Sequence, residues 1–418
     1  MTAGQREFDI VLYGATGFVG KLTAEYLAHA GGKARIALAG RSPEKLAAVR
    51  ATLGDAAQSW PILTVDASDA ASIDDMAART RVVVTTVGPY SKYGLPLVAA
   101  CAANGTDYAD LTGEAMFVRQ SIDEFHKQAV DTGARIVHAC GFDSVPSDMT
   151  VYELFRRAKQ DGAGDLGPTD FVLRGFHGGV SGGTIASMIE VFRASSSDPD
   201  TRKLLTDPYT LSQDRPAEPE LGSQPDMAWK RGSDIAPELA GVWAAGFVMA
   251  MYNTRIVRRS NALLDYAYGR GFRYAEYMSV GPSLTAPVTS ALATAATAGS
   301  AALGSRFFRL LPRKLVERIA PKPGTGPSEE VRENGYYRVE TFTTTSSGAR
   351  YVATMSQSGD PGYKATSVML GECGLALALD RDRLPEIYGV LTPAAAMGDA
   401  LLARFPDAGI SLESAKLN

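Results

Sequence analysis

Short apolar runs at 8–13, 35–39, 62–65, 82–87, 107–111 and 135–140 punctuate the first third of the chain. Each has the length of a strand, and the run at 82–87 is continuous, as a strand buried on both faces requires. Between the runs, apolar residues recur at helical spacing. Val19, Leu22, Tyr26 and Leu27 form one such set, and 43–53, 73–78, 95–103 and 124–131 read as further helices, with Pro43 at a favourable first position. Strands alternating with helices predict an α/β fold with a parallel sheet and right-handed crossovers over residues 1–150. Beyond 150 the alternation is lost. A strand is predicted at 171–176, and two more at 338–343 and 350–355 around a turn at 346–348. The segment 195–220 is rich in Asp, Pro and Ser and reads as loop. Helices are expected at 363–378 and 392–405. This pattern divides the chain into 1–150, a second α+β substrate domain at 151–360, and C-terminal helices at 361–418 that return to the first domain.

Chemistry enters at the first turn. Gly14, Gly17 and Gly20 follow the first strand at three-residue spacing and open the first helix. Gly14 permits the tight turn, Gly17 lets backbone approach a pyrophosphate, and Gly20 lets the helix pack against the strand. The spacing is GxxGxxG, a variant of the common dinucleotide fingerprint, and it predicts a Rossmann-type, doubly wound sheet. Thr16 and Phe18 lie within the turn. The second strand ends in Gly40-Arg41-Ser42, where an NAD site usually has an acid for the ribose hydroxyl. Arg41, with Ser42 beside it, suits a 2′-phosphate instead, so NADPH is the expected cofactor. Arg41 could also stack on the adenine or stay solvated.

Ligands of such sheets bind beyond the carboxyl ends of the strands. The loops at 14–20, 41–42, 66–68, 87–93 and 141–148 all fall there. They place Asp66, Gly88, Pro89 and Asp143 among the cofactor-binding candidates. Tyr90, Tyr93 and Ser144 are the catalytic candidates, as a proton donor or as the holder of a donating water. Tyr90 could equally pack its ring on the cofactor. Arg174 is the early candidate for a site that binds a small amino-acid-like substrate. A nucleotide-binding adaptor without turnover is a third reading.

Composition narrows the classes. The 418 residues carry a net charge of −4, and the pI is about 5.7, which argues against a general nucleic-acid binder. Cys101, Cys140 and Cys373 are far apart, and His29, His126, His138 and His177 show no ligand spacing, so no metal site is expected. The first nine residues, MTAGQREFD, contain no apolar signal core, which predicts a cytoplasmic protein. The glycines of 178–184 either line a substrate cleft or join a strand to a helix at 185–193. The stretch 277–305 has no charged residue but is mostly Ala, Thr, Ser and Gly with Pro282 and Pro287, which reads as a wall of an acyl-binding region rather than a membrane span. The segment 306–318 interleaves Arg306, Arg309, Arg313, Lys314 and Arg318 with Phe and Leu. It could lie on an anionic membrane, dock an acidic carrier, or form a solvated helix face.

The motifs GATGFVG, LAGRS, TTVGPYSKYG, GTDYADLTGE and GFDSVPSD resemble those of the saccharopine dehydrogenase-like oxidoreductase family, as does GVLTPAAAMGDALLARF at 389–405. Within that family, NTRIVRRSNAL, PKPGTGPS and ALALDRDRL are similar to stretches of the mycobacterial trans-acting enoyl reductases. The resemblance spans both ends of the chain. It implies reduction of a carbon–carbon double bond in the polyketide chains of phthiocerol and phenolphthiocerol lipids. It also implies action in trans on a polyketide or fatty-acyl thioester of synthases that lack their own enoyl-reductase domain.

Overall fold

The computed structural model describes residues 6–178, 199–281 and 326–418. The glycines beyond 178, the helix expected at 185–193, most of the uncharged stretch and the basic segment 306–318 lie outside the described residues.

The first sheet has seven parallel strands: β1 (Phe8–Tyr13), β2 (Ile36–Gly40), β3 (Ile62–Thr64), β4 (Thr80–Thr85), β5 (Asp107–Ala109), β6 (Arg135–Val137) and β13 (Gly389–Leu391). Their order is β13-β6-β5-β4-β1-β2-β3. The chain therefore winds outward from β1 in both directions, and the strand order reverses between β1 and β4. β1 is buried along its whole length and pairs with β2 and β4. The helices are α1 (Phe18–Ala30), α2 (Pro43–Thr52), α3 (Ala70–Arg79), α4 (Tyr90–Asn104), α5 (Ala115–Thr132) and α6 (Val145–Gln160).

The second sheet is mixed: β7 (Leu166–His177), β8 (Lys230–Arg231), β9 (Trp243–Gly246), β10 (Arg273–Gly281), β11 (Tyr336–Thr345), β12 (Arg350–Ser358) and β14 (Ile410–Leu417). Its order is β14-β12-β11-β7-β10-β9-β8, with β7 and β10 parallel and the other pairs antiparallel. The remaining helices are α7 (Pro199–Thr206), α8 (Ala250–Leu263), α9 (Glu329–Glu333), α10 (Thr366–Leu379) and α11 (Pro393–Arg404). α6 lies against β7, β11 and β12, and α8 against α6 and β10. Residues 277–281, read from sequence as the start of an acyl-binding wall, are the end of β10.

The C-terminal part does more than the expected return to the first sheet. α10 is buried from Thr366 to Ala378 and packs on α1, β1, β4 and β5. Close approach explains Gly374: a Cβ there would stand 2.5 Å from Val84 Cγ2. β13 adds a seventh strand to the first sheet, but β14 leaves it and pairs with β12. The tail thus contributes to both sheets, α10 and β13 to the first and β14 to the second. The period of two in ISLESAKL is the local reason: it is a strand pattern, half exposed at the sheet edge.

Within the first sheet, the predicted loop at 87–93 is mostly helix. α4 begins at Tyr90, before the expected start at 95. Gly94 and Pro96 disguise it, yet Pro96 is tolerated within the first two turns, where few backbone bonds are lost.

Candidate functional site

The glycine turn joins β1 to α1. Gly14 has φ +93°, and a Cβ there would meet Thr86 Oγ1 and Val87 Cγ2, both at 2.8 Å. Gly20 sits under the turn, where a Cβ would be 2.2 Å from the Gly14 carbonyl oxygen. Gly17 is different. Its backbone (φ −71°, ψ 167°) suits any residue, and a Cβ would meet only the Gly14 oxygen, at 3.3 Å. Gly17 is exposed and precedes α1, whose N-terminus has no side-chain cap. The first N–H groups of α1 are therefore available to an anion, and absence of a side chain at 17 keeps the approach open. This geometry fits a dinucleotide pyrophosphate. Thr16 is half-buried in the turn. The Phe18 ring turns away, edge-on to Tyr363 at 5.0 Å and under the Arg332 guanidinium at 5.3 Å.

At the end of β2, Arg41 is exposed, and Asp66 lies close enough to sense its charge. Ser42 caps α2: its Oγ accepts from the Lys45 N–H at 3.3 Å and donates to Glu44 at 2.9 Å. Asp66 closes its own turn, accepting from the Ser68 N–H (2.8 Å) and hydroxyl (2.7 Å). The Ser68 hydroxyl is the main cause that holds the Asp66 carboxyl below its ordinary range. Gly88 and Pro89 are exposed just before α4.

Beyond β4, β5 and β6 the side chains are interlocked. Glu114 accepts the Tyr90 and Ser91 N–H groups at 3.0 and 2.9 Å, capping α4 across the sheet edge. Asp110 accepts from the Tyr108 hydroxyl (2.8 Å) and from the Thr112 and Ala139 N–H groups (3.0 Å each). His138 Nδ1 lies 2.7 Å from the same carboxylate, and its Nε2 lies 2.9 Å from Ser121 Oγ, all buried. Asp143 is half-buried after β6, and burial pushes its pKa up to about 6.

These contacts reorder the catalytic candidates. The buried Tyr90 hydroxyl donates to the Thr85 carbonyl at 3.3 Å and accepts the Leu111 N–H at 3.2 Å. Ser144, fully buried, donates to Asn253 Oδ1 at 3.0 Å. Both hydroxyls are engaged by protein atoms, which ties Tyr90 and Ser144 to the segments around the strand ends. Tyr93 is half-buried in the first turn of α4, with the Lys92 ammonium 4.9 Å from its ring.

Asn253 and Glu276 escaped the sequence reading. Asn253 also donates to Ser147 Oγ (3.2 Å) and Glu276 Oε2 (3.0 Å), and Tyr274 donates to Glu276 Oε1 at 2.8 Å. Burial, opposed by these donors, pushes Glu276 up to about 7. Glu276 was a lone acid in the otherwise uncharged run 274–281, a signal that it faces inward. Glu114 stood in the quoted GTDYADLTGE motif just before α5, but its carboxylate caps α4 and not α5, a pairing that its place in the sequence does not show.

Residues 10–137 match the family model of the saccharopine dehydrogenase NADP binding domain. A curated Mycobacterium tuberculosis relative, provisionally named a trans-acting enoyl reductase, is 69% identical over 417 residues and covers 100% of both chains. Trans-acting enoyl reductases of Mycobacterium bovis and Mycobacterium ulcerans are 62% and 60% identical over 419 residues, again covering 100% of both chains. Among solved structures, saccharopine dehydrogenase (L-Glu forming) of Saccharomyces cerevisiae is similar with a TM-score of 0.54 at 13% identity, covering 98% of this chain and 99% of that one. That likeness supports the fold.

The parallel sheet, its glycine cradle and the matched nucleotide domain define an NADP(H)-dependent oxidoreductase. The full-length identities go further: the chain belongs to the trans-acting enoyl reductases, a branch of the saccharopine dehydrogenase-like family.

Proposed function

We propose that the chain reduces the α,β double bond of a long acyl or polyketide thioester, in the assembly of phthiocerol and phenolphthiocerol lipids. The full-length identity to named enoyl reductases carries this reading. Bound at the cradle, NADPH would supply the hydride for the β-carbon, with a proton added at the α-carbon. Gly14, Thr16, Gly17, the Phe18 N–H and Gly20 form the pyrophosphate seat, and Arg41 takes the 2′-phosphate. Gly88, Pro89 and Asp143 border the nicotinamide end. Glu114 and Asn253 hold the surrounding loops, and Tyr93 remains a candidate proton donor.

A zwitterionic substrate is less well served. Arg174, its sequence candidate, pairs with Glu340 at 3.3 Å. A long chain in trans fits the basic segment 306–318, whose charge suits an acidic carrier domain or an anionic membrane surface. No helix among the described residues is long and apolar enough to cross a membrane.

Deletion in a host that makes these lipids tests the proposal. The expected result is lipids that keep one double bond, lighter by one pair of hydrogens per missed reduction. Fully saturated lipids in the deletion strain would reject it.

A further inference from the structure

We infer that Tyr252, in the first turn of α8, donates the hydrogen bond that holds the substrate's thioester carbonyl oxygen; this rests on the enoyl reduction proposed above. Tyr252 is 5% exposed and packs in one apolar cluster with Tyr90, Leu211 and Leu111. Its neighbour Asn253 ties α8 to Ser144, in the loop that follows β6, and to Glu276 on β10. The phenol is therefore held at the carboxyl ends of the strands, where α/β sheets bind the reacting groups.

Two tyrosines share this neighbourhood. Asp110, Glu114 and Cys140 act electrostatically on both Tyr90 and Tyr252, and Asp143 acts on Tyr252 as well. The Tyr90 hydroxyl is used twice within the protein. The Tyr252 hydroxyl is buried and has no hydrogen-bond partner among the described residues. The Tyr268 and Tyr337 hydroxyls are also buried without a partner among the described residues, but of the three only that of Tyr252 senses Asp110 and Asp143 at the strand ends. Burial first, and then the surrounding acids, keep this phenol protonated, so it is a donor and not a base. A thioester carbonyl is an acceptor only, and it gains negative charge as hydride reaches the β-carbon. A fixed donor there is worth most in the transition state. Tyr252 forms and breaks no covalent bond and keeps its proton throughout.

Tyr252→Phe removes the hydroxyl alone. The variant is expected to melt at or above the parent's temperature, since a buried unpartnered donor is lost, and to bind NADPH as the parent does. Its turnover of trans-2-dodecenoyl-CoA should fall about 10²–10³-fold, the usual loss for one oxyanion donor. Its affinity for that thioester in the presence of NADP⁺ should fall about three- to tenfold. Parental turnover and affinity would overturn the inference. So would a melting temperature lowered by several degrees, which would mark the hydroxyl as a structural donor. A parent protein that binds NADPH yet neither binds nor reduces the thioester would overturn the enoyl reading and this one with it. An active parent with an unaffected variant would overturn the Tyr252 assignment alone.

Discussion

Gly17→Val separates the cofactor seat from the fold. The backbone at 17 is already in a region open to valine, and the added Cβ touches only the Gly14 oxygen, at 3.3 Å. The structural cost is then that of a poorer helix N-cap, about 1 kcal/mol. In a chain of 418 residues that is a shift of a few degrees at most in melting temperature. The two γ-methyl groups, however, project over the first N–H groups of α1. Charge-assisted hydrogen bonds contribute about 1.5–3 kcal/mol each. Losing two of them weakens NADPH by about 10²–10⁴-fold, at roughly 1.4 kcal/mol per factor of ten. Fluorescence titration of NADPH, beside a melting curve, measures both quantities. Gly20→Val is the contrast: its Cβ would lie 2.2 Å from the Gly14 oxygen, so it should lose stability as well as cofactor. A Gly17→Val protein that melts normally and binds NADPH within threefold of the parent would mean that the turn is purely structural.

Arg41→Ala should weaken NADPH by about tenfold and leave NADH nearly unchanged, since only the 2′-phosphate loses a charged partner; equal binding of both cofactors by the parent would remove the basis of this assignment. Asp148 is fully buried, accepts from Ser260 and the Ala394 N–H, and is pushed up to about 7, chiefly by burial. A carboxyl raised on folding contributes stability that is complete below its unfolded value near 3.9 and is lost as pH rises through about 7. The melting temperature should therefore decline between about pH 4 and pH 7, and Asp148→Asn should flatten that decline; an unchanged slope would mean that Asp148 is ionised in the folded protein.

Much of the first sheet was legible because its strands are buried on both faces and read as uninterrupted apolar blocks. The glycine turn was legible because Gly14 and Gly20 answer to local sterics. What escaped depends on distant partners. β13 is three residues long and is ordered by pairing with β6, more than two hundred positions away. The early start of α4 depends on Glu114, which caps it from the other side of the sheet edge. Asn253 looks like a surface residue in a list of polar positions, and the inward-facing signal of Glu276 names no partner; only the packing of α8 on β10 makes them a buried pair. The partners of the Tyr90 and Ser144 hydroxyls were hidden for the same reason. Their place near the strand ends was readable, but the Thr85 carbonyl, the Leu111 N–H and Asn253 that occupy them were not.

The most direct test uses the purified protein, trans-2-dodecenoyl-CoA and NADPH deuterated at C4 in the position the enzyme transfers. Reduced-nicotinamide absorbance is followed while the acyl product is analysed by mass spectrometry. Each NADPH consumed is expected to yield one saturated dodecanoyl thioester with a single deuterium at the β-carbon. Tight NADPH binding with no consumption, or consumption that leaves the double bond intact, would contradict it.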